Sequence, residues 1–251
     1  MSIAIITGAS SGMGREFVYQ ISEKYKSIDE IWVIARRLDK LNELAASCNK
    51  VKIRPLKYDL SDDADLIRFK LLLFQEKPQV RILVNSAGFG IIGTFEEVST
   101  DNSLMCKVNC VGLTKMMELV IPYMTCKRGN IYNLASSAAF MPQPSFATYA
   151  ATKSYVLSLS RALNKELKDK NITVTAVCPG PVKTEFFDVA EKHRSVKLYK
   201  KLGMSEAKKV VSLALNDGYH GRSVSVYGPV MRAFRILSKL LPHELMLKFI
   251  N

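Results

Sequence analysis

The chain has 251 residues, of which 48% are hydrophobic and 24% charged, and it carries a formal net charge of +13. That apolar share excludes an intrinsically disordered chain, and no run approaches the roughly 18 uninterrupted apolar residues of a membrane-spanning helix. The five cysteines are scattered and form no CxxC pair, which excludes a disulfide framework or zinc site and points to free thiols in a reducing compartment. Ile3 to Ile6 reads as a strand directly after the start, so no secretory leader is expected and a cytoplasmic location is.

In chain order, apolar β-branched runs recur at Ile3 to Thr7, Ile31 to Ala35, Val51 to Lys57, Arg81 to Asn85, Asn130 to Ala135, Ile172 to Cys178 and Ser223 to Tyr227, with stretches of helical period between them. Seven such strands predict an α/β fold, a doubly wound parallel seven-stranded sheet in one domain over 1–251, covered by helices on both faces. Right-handed crossovers bring all strand C-termini to one edge, where the turns that follow should carry the chemistry. The strand signal lapses over 185–209, a Lys-rich stretch read as a substrate lid. Beyond the last strand, residues 229–251 form a basic tail, with amphipathic helices predicted from Met231 to Leu241 and from His243 to Ile250, divided by Pro242.

The basic excess is uneven. Lys192 to Asn251 holds twelve Lys/Arg against three Asp/Glu, a balance of +9, and the first 191 residues carry only +4. Basic residues between Arg232 and Lys239 alternate with Phe234, Ile236 and Leu237, a pattern suited to covering the substrate mouth or to peripheral contact with an anionic membrane. No nucleic-acid recognition motif accompanies the charge, so a nucleic-acid partner is not expected.

The first strand runs into Gly8-Ala9-Ser10-Ser11-Gly12-Met13-Gly14 before a helix. Glycine allows a tight turn whose backbone N–H groups, at a helix N-terminus, cradle a pyrophosphate. The second strand ends Ala35-Arg36-Arg37, with no acid to hold the 2′-hydroxyl of NAD and two cations suited to the 2′-phosphate of NADP(H). Tyr149 and Lys153 lie four residues apart and share a helix face, where an ammonium favours the phenolate and should lower the phenol pKa toward working pH. The same spacing occurs at Tyr123 and Lys127, but Ser136 stands thirteen residues before Tyr149 at a strand end, and Cys110 stands thirteen before Tyr123. The second pair is therefore read as an accident of spacing. His193, His220 and His243 are isolated, and no metal site is expected.

Thr7-Gly8-x3-Gly12-x-Gly14, Asn85-Ser86-Ala87-Gly88, Asn109, Ser136, Tyr149-x3-Lys153 and Pro179-Gly180 together resemble the short-chain dehydrogenase/reductase family, in order and at family spacing from residue 3 to about 184. The resemblance implies that Tyr149 exchanges a proton with the substrate oxygen, Ser136 holds that oxygen, Lys153 grips the nicotinamide ribose and lowers the Tyr149 pKa, and Asn109 anchors a proton-relaying water. It implies a cofactor cradle of Gly8, Ser10, Ser11, Gly12, Met13 and Gly14, an adenine border at Asp59 and Leu60, an adenosine and ribose side at Asn85, Ala87 and Gly88, and a nicotinamide side from Pro179 and Gly180 through Val182 to Thr184. Ser86 replaces a frequent second Asn. The basic tail replaces a short glycine-ended one that often supports tetramers, so a homodimer is expected and a tetramer is in doubt.

Phe89, Phe140, Phe146, Phe186 and Phe187 fall in the loops beside this edge and are the candidate substrate contacts. They favour a bulky hydrophobic ketone or secondary alcohol, of hydroxysteroid or bile-acid type first and a 3-oxoacyl thioester second. A non-catalytic NADP-binding sensor or scaffold is the alternative of another class.

Overall fold

A computed structural model describes residues 1–125, 128–191 and 204–248. Seven parallel strands, β1 Ser2–Thr7, β2 Glu30–Ala35, β3 Lys52–Lys57, β4 Gln79–Asn85, β5 Gly129–Leu134, β6 Ile172–Val177 and β7 Val224–Ser225, form one sheet in the order β3-β2-β1-β4-β5-β6-β7. Proline cannot donate to a ladder, and Pro55 accordingly lies in β3 at the sheet edge. The other edge strand, β7, is only two residues long, shorter than the run from Ser223 to Tyr227 predicted from apolar patterning.

Helices α1 Gly12–Lys24 and α2 Leu38–Ser47 cover one face, where Phe17, Val18, Ile21 and Leu41 pack on alternate strand residues such as Ile6, Ile31 and Val84. On the other face, α3 Asp63–Glu76, α5 Leu113–Val120 and α6 Ala147–Glu166 bury Phe69, Leu73, Met116, Met117 and Val156 against Ile5, Leu83 and Ile131, and α4 Ser99–Cys106 packs against α6. Burial on both faces explains why the strands read as continuous apolar runs.

The register aligns the strand ends. Thr7 pairs with Asn85, Asn85 with Asn133, and Asn133 with Ala176, so one row of residues crosses the sheet just before the functional turns. Asn85 Nδ2 donates to Asn133 Oδ1 at 2.9 Å, and Asn133 Nδ2 donates to Ser160 Oγ at 3.0 Å. This buried polar chain ties β4 and β5 to α6, the helix that carries Tyr149 and Lys153.

Of the stretch 185–209, residues 192–203 lie outside the described part. The remainder holds a short helix α7 Phe186–Ala190, a bridge between Val182 and Ser205, and the start of helix α8 Ala207–Tyr219, which packs on α1. The tail forms α9 Pro229–Leu240 and α10 His243–Leu247, near the predicted bounds. No described helix is long and apolar enough to cross a membrane.

Candidate active site

The glycine turn is shaped by contacts that admit no side chain. Gly8 has φ +65°, and a Cβ there would lie 2.6 Å from the Ala87 nitrogen; a Cβ on Gly14 would collide with the Gly8 carbonyl. Gly12, at φ +54°, faces Thr184, whose side chain would lie 3.3 Å from an added Cβ. Thr7 Oγ1 accepts from the N–H groups of Ser86 and Ala87 at 3.1 and 3.2 Å and so fastens the turn after β4 to the turn after β1. Sequence reasoning gave Thr7 no such role.

The end of β2 meets this turn through Arg37, which donates to Ser10 Oγ at 3.1 Å and to Glu185 Oε2 at 2.9 Å. The Glu185 carboxylate is held below the usual carboxylate range chiefly by its hydrogen bond with Arg37, with Ser11 and Arg15 adding to the effect. This corner therefore already accommodates an anion, an observation that fits the predicted phosphate site. Glu185 and Arg15 were not foreseen. Arg36 is 70% exposed and stands 3.9 Å from Asp59. Asp59 otherwise caps its own turn by accepting from Ser61 N–H and Oγ.

Several residues expected on the cofactor side also pack into the framework. Asn85 is buried and committed to Asn133, and its Oδ1 has no hydrogen-bond partner among the described residues. Leu60 is buried against Gly112, where a Cβ would lie 2.8 Å from the Leu60 carbonyl. Gly88 does reach the site, since a Cβ there would lie 2.9 Å from Asn109 Oδ1 and 3.4 Å from Lys153 Nζ. Gly180 is instead covered by Met231 of α9.

Asn109 sits in a π-helical turn, Lys107–Gly112, between α4 and α5. Such bulges redirect a side chain that a regular helix would aim elsewhere. Here Asn109 Nδ2 donates to the Phe89 carbonyl at 2.8 Å and to Thr152 Oγ1 at 3.1 Å, and its Oδ1 accepts from Phe89 N–H. The turn after β4 is thereby pinned to α6. No periodicity in the sequence announces the bulge.

Ser136 follows β5 and caps the 3-10 turn Ser137–Phe140 through Ala138 N–H at 3.1 Å, and its hydroxyl neighbours Tyr149, whose ionised form it favours. Tyr149 is 7% exposed, stacked on Phe146 at 4.2 Å between ring centroids and 5.5 Å from Phe186, with Ile91, Met105 and Phe89 in the same cluster. Lys153, 5% exposed, donates to the Leu134 carbonyl at 2.6 Å, and its Nζ lies 5.6 Å from the centre of the Tyr149 ring.

The electrostatics correct the expected downward shift of the phenol. Burial pushes Tyr149 up to about 12, with the neighbouring Ser136 opposing, and burial likewise pushes Lys153 down to about 8. Desolvation penalises the charged form of each group, and on the phenol it exceeds the opposing pull of Ser136. The phenol is thus held as a proton donor. Cys178, buried beside Ser136 and Lys153, is likewise pushed up to about 12, which makes it an inert thiol.

Phe89, Phe146 and Phe186 gather around Tyr149, and Phe187 meets Phe186 edge-on at 5.5 Å. Phe140 does not join them. It is a core residue whose ring packs 6.1 Å from Phe234 of α9, so it is placed under the tail instead of in the pocket. Next to Thr184, Phe187 and Met204 share a cavity of about 310 Å³ with Lys183, Asp188 and Glu191, a more polar lining than the sequence led us to expect. Tyr123 ends a 3-10 turn, Ile121–Tyr123, away from this constellation, and Lys127 lies outside the described residues. Among those residues no group of His, Cys, Asp and Glu could hold a metal ion.

The profile described as short chain dehydrogenase matches residues 2–195. Very-long-chain 3-oxoacyl-CoA reductase of Aspergillus niger is 32% identical over 186 residues, 70% of this chain and 52% of that protein. 17-beta-hydroxysteroid dehydrogenase type 3 of Mus musculus is 30% identical over 190 residues, 72% of this chain and 60% of that protein. Among solved structures, a short-chain dehydrogenase from Sphingobium yanoikuyae in complex with NADPH superposes with a TM-score of 0.82 at 27% identity, over 100% of this chain and 97% of that one. With the sheet order, the glycine turn and the juxtaposition of Ser136, Tyr149 and Lys153, these matches establish that the chain is an oxidoreductase of the short-chain dehydrogenase/reductase family.

Proposed function

We propose that the chain uses NADP(H) to interconvert a ketone and a secondary alcohol on a bulky hydrophobic substrate, with a hydroxysteroid-type compound as first choice. The observation that carries this reading is the Tyr149 phenol, set beside the Ser136 hydroxyl and walled by Phe146, Phe186, Ile91 and Met105. A carbonyl presented to that hydroxyl pair would rest its carbon skeleton on apolar surface.

NADP(H), when bound, supplies or accepts the hydride; the glycine turn would hold its pyrophosphate and Arg37, with Ser10, its 2′-phosphate. In the reductive direction Ser136 donates a hydrogen bond to the substrate oxygen and polarises the carbonyl. Tyr149, kept protonated by burial, transfers its proton to that oxygen. Lys153, one helical turn on, stabilises the phenolate left behind and stands ready to hold a ribose hydroxyl. Asn109 ties Phe89 to Thr152, the neighbour of Lys153 on α6, and so steadies the segment that carries the ammonium. Oxidation of the alcohol runs the same proton path in reverse.

A 3-oxoacyl thioester is the second reading, supported by the fungal relative and by the same apolar walls. Purified protein, NADPH and a panel containing an oxosteroid and a 3-oxoacyl-CoA would separate the two by turnover, and activity confined to the thioester would reverse the order. A sensor without catalysis is disfavoured because Ser136, Tyr149, Lys153 and Asn109 are all present and assembled. A cytoplasmic homodimer completes the proposal. Val111 and Tyr155 expose apolar surface on adjoining helical segments, and sedimentation equilibrium at twice the monomer mass would support a dimer.

A further inference from the structure

Helix α9 is apolar on two sides. Its inner face seats Met231 over Gly180, Phe234 against Phe140, and the buried Ser238. At about 100° per residue, Ile236, Leu240, Ala233, Leu237 and Val230 form a second, contiguous stripe over about a third of the circumference, pointing away from the body. Val230 is 71%, Ile236 60%, Leu237 46% and Leu240 74% exposed, and exposed Leu241 and Leu245 continue the surface toward α10. A solvated helix would carry polar residues there.

The remaining sector, between the inner face and Ile236, holds Arg232, Arg235 and Lys239, which surround a shallow groove with Ile236. Arg232 Nε donates to the Val226 carbonyl, and no acidic side chain among the described residues pairs with any of the three. From Pro229 to Lys248 the only acid is Glu244. An apolar stripe bordered by unpaired cations complements an anionic lipid surface: aliphatic side chains enter the acyl boundary and cations meet headgroup phosphates. A second copy of this helix would place cations against cations, which argues against self-association through this face.

We propose that α9, extended by the start of α10, docks the protein on an anionic lipid bilayer. The docked helix lies on Gly180 and Phe140, which belong to the segments following β6 and Ser136, so docking sets the catalytic edge beside the lipid. Docking stands on the helix surface alone; its use, admission of a lipid-dissolved substrate, rests on the hydrophobic-substrate reading above.

Co-sedimentation of the full chain with vesicles of phosphatidylcholine, with and without phosphatidylglycerol, tests this directly. Binding should require phosphatidylglycerol, weaken with added salt, and fall about tenfold or more in Leu237→Asp/Leu240→Asp, and Lys239→Glu should reduce it in part. Both leucines are exposed, so the variant should keep its melting temperature and its NADPH affinity. No binding of the intact chain to phosphatidylglycerol vesicles, or equal binding by the double variant, would overturn the proposal. So would a dimer that the double variant converts to monomer with no vesicle binding by either protein. Carbonyl reduction in vesicle-free buffer is scored separately, so failure of docking and failure of the enzymatic reading are distinct results.

Discussion

Arg37 Nη2 lies 2.9 Å from Oε2 of Glu185, joining the end of β2 to the start of α7 across the glycine turn. The pair places an internal carboxylate where Arg37 and Ser10 would receive a 2′-phosphate. The two side chains are each about half exposed, so the ion pair itself contributes little to stability. Its consequence is competition. Glu185→Gln should tighten NADPH binding by about two- to fivefold and leave NADH unchanged, in a fluorescence titration of each cofactor.

Removing the cations should have the opposite effect. Arg36→Ala/Arg37→Ala deletes charge-assisted donors, which predicts a loss of about tenfold or more for NADPH and little change for NADH. Equal losses for both cofactors would show that the arginines shape the turn without reading the phosphate.

Gly90 predicts a purely geometric effect. A Cβ there would collide with the Tyr149 ring and lie 2.9 Å from Phe146 Cζ. Gly90→Ala should displace the phenol from Ser136 and lower kcat by about ten- to a hundredfold, with NADPH affinity nearly intact. A variant with unchanged kcat would mean that the ring moves aside without cost to the proton transfer.

Lys153 trades stability for function. Its folded pKa of about 8 lies below the ordinary 10.5, so below about pH 8 folding forces a charged group into an apolar site. Between about pH 8 and 10.5 the unfolded chain binds the extra proton, and the penalty is relieved as pH rises. Lys153→Met should therefore be inactive yet melt at or above the wild-type temperature at pH 7, the Leu134 carbonyl it strands offsetting part of the gain. Wild type should gain on the variant as pH rises through that window. A difference independent of pH would show that Lys153 is not desolvated.

Much of this was legible in the chain because the signals are local. β-branched runs fixed all seven strands to within two residues at either end, and Gly8 and Gly14 sit where an added Cβ would strike backbone. The Tyr149 and Lys153 pair needed only helical spacing. What stayed hidden depends on long-range packing. Glu185 meets Arg37 across 148 residues, the π-turn that aims Asn109 leaves no periodic trace, and Phe140 reads like a pocket residue until Phe234 covers it. The phenol pKa also misled, because a cation four residues away is visible in sequence and the burial that raises the phenol is not.

Delivery of the proton by Tyr149 in an NADPH-dependent carbonyl reduction is tested most directly by following NADPH absorbance with wild type and Tyr149→Phe on the same panel of hydrophobic ketones and 3-oxoacyl thioesters. Wild type should turn over at least one class, and the variant should lose about a hundredfold or more in kcat with NADPH binding preserved. Near-normal turnover by the variant on every substrate that wild type reduces would contradict the mechanism.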